Sequence, residues 1–382
     1  MLSKDIKFKN FNIKSSSKKI KNDLYKILKE DNEILNSLRP TYKYSYNKKL
    51  IKKLKKENVL SIIGMGGSVL GTQAIYHFLK HKIKKTINFH DNLESNLKID
   101  QKNINIIVSK SGNTLETITN ANLLLKKKCQ NIFITESKNS YLRSLALKIK
   151  AEIIDHNNFI GGRYSVLSEV GMLPAELMGL NEKKFKQLNN LIKNKNFINL
   201  LITNVSSTLS FIKNKKLNSI ILNYDSYSDN LFKWYQQLLA ESLGKKGKGI
   251  LPTISSMPKD NHSLMQLYLD GPKNNFFTFF YAKEKNTLKI NNKEIIQSHK
   301  YLQNKTLEKI KFSQKIATEN VFLRKQIPFR SFEILNKDEK SLGDLFCFFI
   351  LETILLGRAL NVNPYDQPSV ELIKKETKKI LI

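Results

Sequence analysis

Cysteine is scarce in this 382-residue chain, and Cys129 and Cys347 stand far apart, outside any C-x-x-C pair or histidine cluster. That excludes a disulfide framework and gives no zinc-ligand spacing, so both thiols are expected to be reduced bystanders. Long apolar runs are absent too: nothing approaches the ~18 to 20 consecutive apolar residues of a membrane span. The N-terminus "MLSKDIKFKNFNIKSSSKK" lacks the apolar core of a signal peptide, so a cytoplasmic protein without membrane contact is expected. Arginine is rare. Basic residues number 65 against 33 acidic, a formal net charge of +32, yet only six of the 65 are arginines (Arg39, Arg143, Arg163, Arg324, Arg330, Arg358), leaving 59 lysines. Nucleic-acid readers lean on arginine's bidentate fork, and these lysines are scattered among asparagines and isoleucines, so no nucleic-acid role is expected. The positive field would still speed encounter with an anionic metabolite.

What is present is an α/β rhythm. The length makes room for about two domains, each with its own core, and 41% apolar with 26% charged residues is ordinary for a folded globular chain. After a lysine-rich segment expected to be helical (1–45), strand-type apolar runs recur at 59–63, 86–90, 104–109, 131–135 and 152–155, separated by helical stretches. Short strands alternating with helices predict a parallel sheet covered on both faces. Two helices, 181–194 and 197–214, interrupt the rhythm. It resumes at 219–224, 249–255 and 275–282, with the long helix "SDNLFKWYQQLLAESLG" among them, and the chain ends in helices at 343–360 and 369–381. The economical reading is α/β with two mainly parallel sheets: a first domain over 46–183 and a second over 184–382 that includes the C-terminal helices. "NNFFTFFYA" and "LFCFFILETILL" carry apolar surface that suits an interface or burial inside a domain, and the sequence leaves both open.

Two strand-end loops carry chemistry. "SIIGMGGSVLG" (61–71) sets Gly64, Gly66, Gly67 and Gly71 between a buried strand and a helix, where backbone amides and the helix N-terminus favour an anion. It departs from the dinucleotide fingerprint, with Asp91 the sole candidate for a ribose contact. A tight structural turn explains the same glycines. "VSKSGNTLET" (108–117) offers Ser109, Lys110, Ser111 and Thr114 at the start of a helix, a phosphate cradle by composition without the lysine motif of triphosphate binders. Both loops are expected at the carboxyl edge of one sheet, where open α/β sheets bind ligands. The glycine loop then forms the second wall of a phosphate-ester site, with Gly67 and Ser68 at the ligand.

"SIIGMGGSVLG", "VSKSGNTLET", "IGGRYSVLSEVG", "AESLGKKGKG", "MPKDNHSL" and "NPYDQPSVELIKK" follow one another as in the phosphoglucose isomerase family, and from about residue 58 to 380 the chain resembles its shorter bacterial form. The stretches around Arg163 and around 367–374 are specific to that family; the two loops are shared by sugar-phosphate-binding SIS domains in general. The resemblance implies two SIS-type domains, a homodimer, a phosphosugar substrate, neither metal nor cofactor, and interconversion of glucose 6-phosphate and fructose 6-phosphate in glycolysis and gluconeogenesis.

Moving a carbonyl between C1 and C2 of a sugar needs a base beside the carbonyl, stabilisation of an enediolate, and an acid that opens the ring. Glu241 follows a largely apolar helix face, where its carboxylate is partly desolvated, and the resemblance makes it the base. Arg163, a rare arginine after two glycines, offers a fixed charge for an enediolate. The resemblance alone assigns ring opening to His262, the active-site lysine to Lys374 with Lys375 beside it as an alternative, and a substrate contact to Gln367. It also has His262 reach the pocket of a partner subunit. Ser369 and Glu169 depart from residues usual in the family and put local packing in question. A phosphosugar-sensing regulator would keep the two loops but has no reason to hold Glu241, His262, Lys374 and Arg163 together. Acceptance of mannose 6-phosphate stays open.

Overall fold

The computed structural model describes residues 1–95, 104–125 and 129–382. Its first sheet holds five parallel strands in the order β3-β2-β4-β5-β6: β2 (Val59–Gly64), β3 (Thr86–His90), β4 (Ile104–Val108), β5 (Gln130–Glu136) and β6 (Glu152–His156). The second runs β1-β10-β9-β7-β8: β7 (Asn218–Asn223), β8 (Leu251–Ser256), β9 (Asn275–Ala282) and β10 (Phe329–Ile334) are parallel, and β1 (Ile6–Lys9) closes the edge antiparallel to β10.

Period-two alternation explains how helices cover both faces of the first sheet. Ile62, Ile106 and Ile134 point to the central core, whereas Ile63, Ile107 and Phe133 meet Ala121, Leu142 and Ala146 of the outer helices Leu115–Leu124 and Tyr141–Lys148. The second sheet does the same. Ile221, Phe276, Phe280 and Phe332 join the central core, while Ile220, Leu222, Phe277, Phe279 and Phe329 pack with Phe322 of the outer helix Leu307–Arg324. One apolar cluster thus spans the inner faces of both sheets, filled by helices Leu70–Phe78, Asp229–Leu243 and Glu339–Ala359.

Helix Glu339–Ala359 is buried on every side from Ser341 to Gly357, as a largely apolar helix that runs through a core is, with Asp344 and Glu352 its buried acids. "LFCFFILETILL" and residues 276–282 therefore lie inside the single chain, and of the two readings left open for them, burial holds. The lysine-rich segment 1–45 is not wholly helical. It holds helices Lys18–Lys29 and Glu33–Ser37, but Ile6 and Phe8 alternate inward, and the Phe8 ring lies 4.5 Å from that of Phe332. Four residues with two lysines leave too short an alternation to stand out in sequence. Strand β10 escaped for another reason: "FRSFEI" reads as polar because Arg330, fully buried, is counted as a surface residue.

Candidate active site

Strands β2 and β4 are neighbours, pairing Gly64 with Val108, so the loops that follow them stand side by side at the carboxyl edge of the first sheet. After β4, the Ser109 and Thr114 hydroxyls lie 2.9 Å apart, and the Gly112 amide donates to Ser109 Oγ at 3.2 Å. Gly112 holds φ +66°, and a Cβ there would lie 2.1 Å from Ser140 Oγ, so a side chain fits neither the backbone nor the space. Ser111 and Asn113 are exposed. Lys110 Nζ donates to the Asn158 carbonyl at 2.8 Å and lies 3.4 Å from the buried Glu136 carboxylate, which also pairs with Lys138. Lys110 is thereby held in place beside the loop.

The glycine loop is shaped by a second contact. A Cβ on Gly67 would sit 2.2 Å from the Gly162 carbonyl carbon and 2.4 Å from Arg163 N, so the absence of a side chain lets the Gly162–Arg163 backbone lie against the loop. Gly66, at φ +53°, faces Gln237 Nε2 in the same way. Ser68, half-buried, closes this turn before helix Leu70–Phe78.

Arg163, only 1% exposed, spends all five N–H groups on acceptors. Nε donates to Ser242 Oγ at 2.8 Å, Nη1 to Glu241 Oε2 at 3.2 Å and to Gln367 Oε1, and Nη2 to the carbonyls of Pro364 at 2.7 Å and Asp366 at 3.0 Å. The arginine ties the end of helix Asp229–Leu243 to the segment 363–367. The Glu241 carboxylate takes its other hydrogen bond from Gln237, one helical turn back, at 2.8 Å, and its side chain stays 30% exposed. Trp234 Nε1 donates to the Arg163 carbonyl at 3.1 Å, and Lys245 bridges to Asp366 at 3.0 Å. The Lys245 hydrogen bond and charge outweigh burial, which acts the other way, and hold the Asp366 carboxyl below its ordinary value.

Arg163, Glu241, Gln367 and Gly67 thus form one cluster. His262 and Lys374 stand apart from it in the single chain. His262 ends the short helix Lys259–His262 after β8, exposed and without a hydrogen bond of its own side chain among the described residues. Lys374, 60% exposed, pairs with Glu371 at 2.6 Å on helix Val370–Leu381, which buries none of its residues. Gln237, Ser242, Trp234 and Lys245 were missed in sequence. The four-residue spacing of Gln237 from Glu241 was the available signal. Glu169 is accommodated by a buried set of donors: Tyr42 Oη at 3.0 Å, the Asn157 amide at 3.0 Å and His156 Nδ1 at 2.5 Å. Burial alone would raise its carboxyl; the His156 hydrogen bond and charge reverse that and hold it low. Among the described residues, no group of three or more histidine, cysteine or acidic side chains is placed to hold a metal.

Two mainly parallel sheets joined through their inner faces, with a hydroxyl-lined loop at the carboxyl edge of one, define a two-domain α/β protein of the SIS type. The family model for phosphoglucose isomerase matches residues 10–382, and the chain belongs to that family. It is 33% identical over 338 residues to the glucose-6-phosphate isomerase of Methanocaldococcus jannaschii, covering 84% of this chain and 83% of that one. Among solved structures, a hypothetical protein of Thermus thermophilus superposes with a TM-score of 0.80 at 22% identity, covering 95% of this chain and 94% of the other. A glucose-6-phosphate isomerase of Chlamydia trachomatis gives 0.68 at 18% identity, covering 95% and 77%.

Proposed function

We propose that Glu241 is the base of an aldose–ketose isomerisation, with Arg163 supplying the charge that favours the enediolate and Gln367 holding the sugar. The chain interconverts glucose 6-phosphate and fructose 6-phosphate, the step shared by glycolysis and gluconeogenesis. The observation that carries the residue assignment is the Arg163–Glu241–Gln367 cluster: a buried, saturated guanidinium fixes a carboxylate whose remaining face is open.

Starting from the aldose, Glu241 takes the proton on C2. The C–H electron pair becomes the C1=C2 double bond, and the carbonyl oxygen takes the negative charge beside the Arg163 cation. The hydroxyl proton passes from O2 to O1, the O2 electron pair closes the carbonyl at C2, and the C1=C2 pair takes the proton back from Glu241 at C1 to give the ketose. With every N–H of Arg163 engaged, the guanidinium acts through its fixed charge and by positioning Glu241. Gly67, Ser68, Ser109, Lys110, Ser111 and Thr114 hold the phosphate of the substrate.

His262 opens the ring from a partner subunit in a homodimer, and Lys374 comes to the substrate from helix Val370–Leu381; the isolation of both from the Arg163 cluster supports a site completed by assembly. The domains divide at 45/46 and 183/184, with β1 assigned to the second sheet. The enzyme works in the cytoplasm and takes no nucleic acid as a partner.

The test of the base is Glu241→Gln, which keeps shape and removes the proton acceptor. Exchange of the C2 proton with solvent should stop while phosphosugar binding persists; retained exchange would exclude Glu241. For assembly, Glu241→Gln and His262→Ala chains, inactive alone, should regain activity when co-expressed. Confirmed heterodimers without activity would show that each subunit builds its own site.

A further inference from the structure

We propose that the crevice at the carboxyl edge of the second sheet is a second anion site, separate from the catalytic one, that takes a small phosphorylated metabolite. The argument starts from strand order. From β2 the chain goes to β3 on one side and returns to β4 on the other; from β7 it goes to β8 on one side and returns to β9 on the other. Each sheet therefore has one switch point, and open α/β sheets gather ligands in the crevice outside the carboxyl ends of the strands there. In the first sheet that crevice is the Ser109–Thr114 cradle. In the second it lies between the loop after β7, which carries Tyr227, and the loop after β9, which carries Lys283 and Lys285.

That crevice opens as a cavity of about 500 Å³, lined also by Lys80 and by Lys337 from the loop after β10. Small-ligand pockets fall in this size range. None of the catalytic or phosphate-cradle residues lines it. The acid among its lining residues, Glu284, is matched by Lys311, and Lys337 pairs behind the wall with the buried Asp225 at 2.8 Å. Lys337 Nζ is held over the rings of Phe78 and Tyr227, at 5.0 and 4.9 Å, and Tyr227, which lines the cavity, is 51% exposed. Lys80 is held by Tyr76 Oη at 2.6 Å. Lys283 and Lys285 are exposed and make no side-chain hydrogen bond or ion pair among the described residues, so two cations face the cavity uncompensated beside two that are fixed. His77 and His81 are both held below the ordinary histidine value, by burial first and then by Lys80 and Lys337 respectively. A phosphate ester with a ring or sugar body fits the set: ammonium groups for the phosphate and an aromatic face for the remainder.

The test is calorimetric titration of the full chain with pyrophosphate at about 0.15 M salt, where long-range attraction to the net charge is screened. The parent should bind two pyrophosphates per chain. Lys283→Ala/Lys285→Ala should weaken one of these at least about tenfold, the scale of a lost charge-assisted contact. Ser109→Ala/Thr114→Val, which alters the cradle, should leave that one in place. Lys18→Ala/Lys19→Ala, which removes the same charge from an exposed helix, is the control. Equal weakening by both lysine pairs would reduce the effect to net charge and overturn the proposal, as would a single binding event in the parent that survives Lys283→Ala/Lys285→Ala unchanged.

Discussion

Two arginines are buried to the same degree in this chain, and each is tied to a glutamate, yet the two glutamates differ in exposure. Arg330 sits in the second sheet with Nε on Thr278 at 2.9 Å, Nη1 on Asn204 at 2.8 Å and on Glu352, and Nη2 on Tyr235 at 3.0 Å, while the Tyr235 hydroxyl donates to Glu352 at 2.8 Å. Both charges of that pair are 2% exposed. Arg163 is as deeply buried, but its glutamate is not. A closed pair fixes a core, whereas a pair with one open carboxylate leaves a group that can exchange a proton with a ligand. The difference between structure and chemistry lies in the exposure of the acid, not in the arginine.

The contrast is sharpest when the same change is made in both pairs. Glu241→Gln should lower kcat by roughly 10² to 10⁴, the usual worth of a positioned base, with a smaller loss of stability than Glu352→Gln because solvent reaches the Glu241 side of the pair. Glu352→Gln should do the reverse, costing about 3 to 5 kcal/mol of stability because a buried guanidinium is left uncompensated, while enzyme that remains folded keeps its turnover. Parallel measurement of kcat and of urea midpoints decides it, and the comparison fails if both variants lose stability alike. Smaller in effect is Lys110→Ala. A hydrogen bond to a charged group is worth about 1.5 to 3 kcal/mol, so KM for fructose 6-phosphate should rise by about ten- to 150-fold with kcat nearly unchanged. An unaltered KM would remove Lys110 from the cradle.

The smallest effect comes from an acid with no arginine at all. Asp344 is buried in helix Glu339–Ala359 with Oδ2 lacking a hydrogen-bond partner, and burial pushes its carboxyl up to about 6. A folded-state value above the unfolded one gives stability that is present at low pH and is lost as pH rises through about 6. Asp344→Asn should flatten that part of the stability–pH curve and raise stability at pH 7 by about 1 to 3 kcal/mol. Parent and variant melting curves that stay parallel from pH 4 to 7 would show that Asp344 finds a partner.

Much of this molecule was written along the chain. Eight of the strands, the two loops and the long helix ending near Glu241 are local patterns, set by period-two alternation, glycine and the start of a helix, and they needed no knowledge of what lies across the core. Tertiary structure decided the rest because its causes are distant in sequence. Strand β1 exists because Phe8 finds Phe332; Arg330 is a core residue because Glu352 and Asn204 meet it; Gly67 is glycine because the Gly162–Arg163 backbone lies against it. Arg163 alone could be singled out by its rarity, but that it joins Glu241 to Gln367, 204 residues further on, is a fact of packing. Local propensity acts over a few residues, whereas a site is assembled by the close-packed core that sets distant segments against each other.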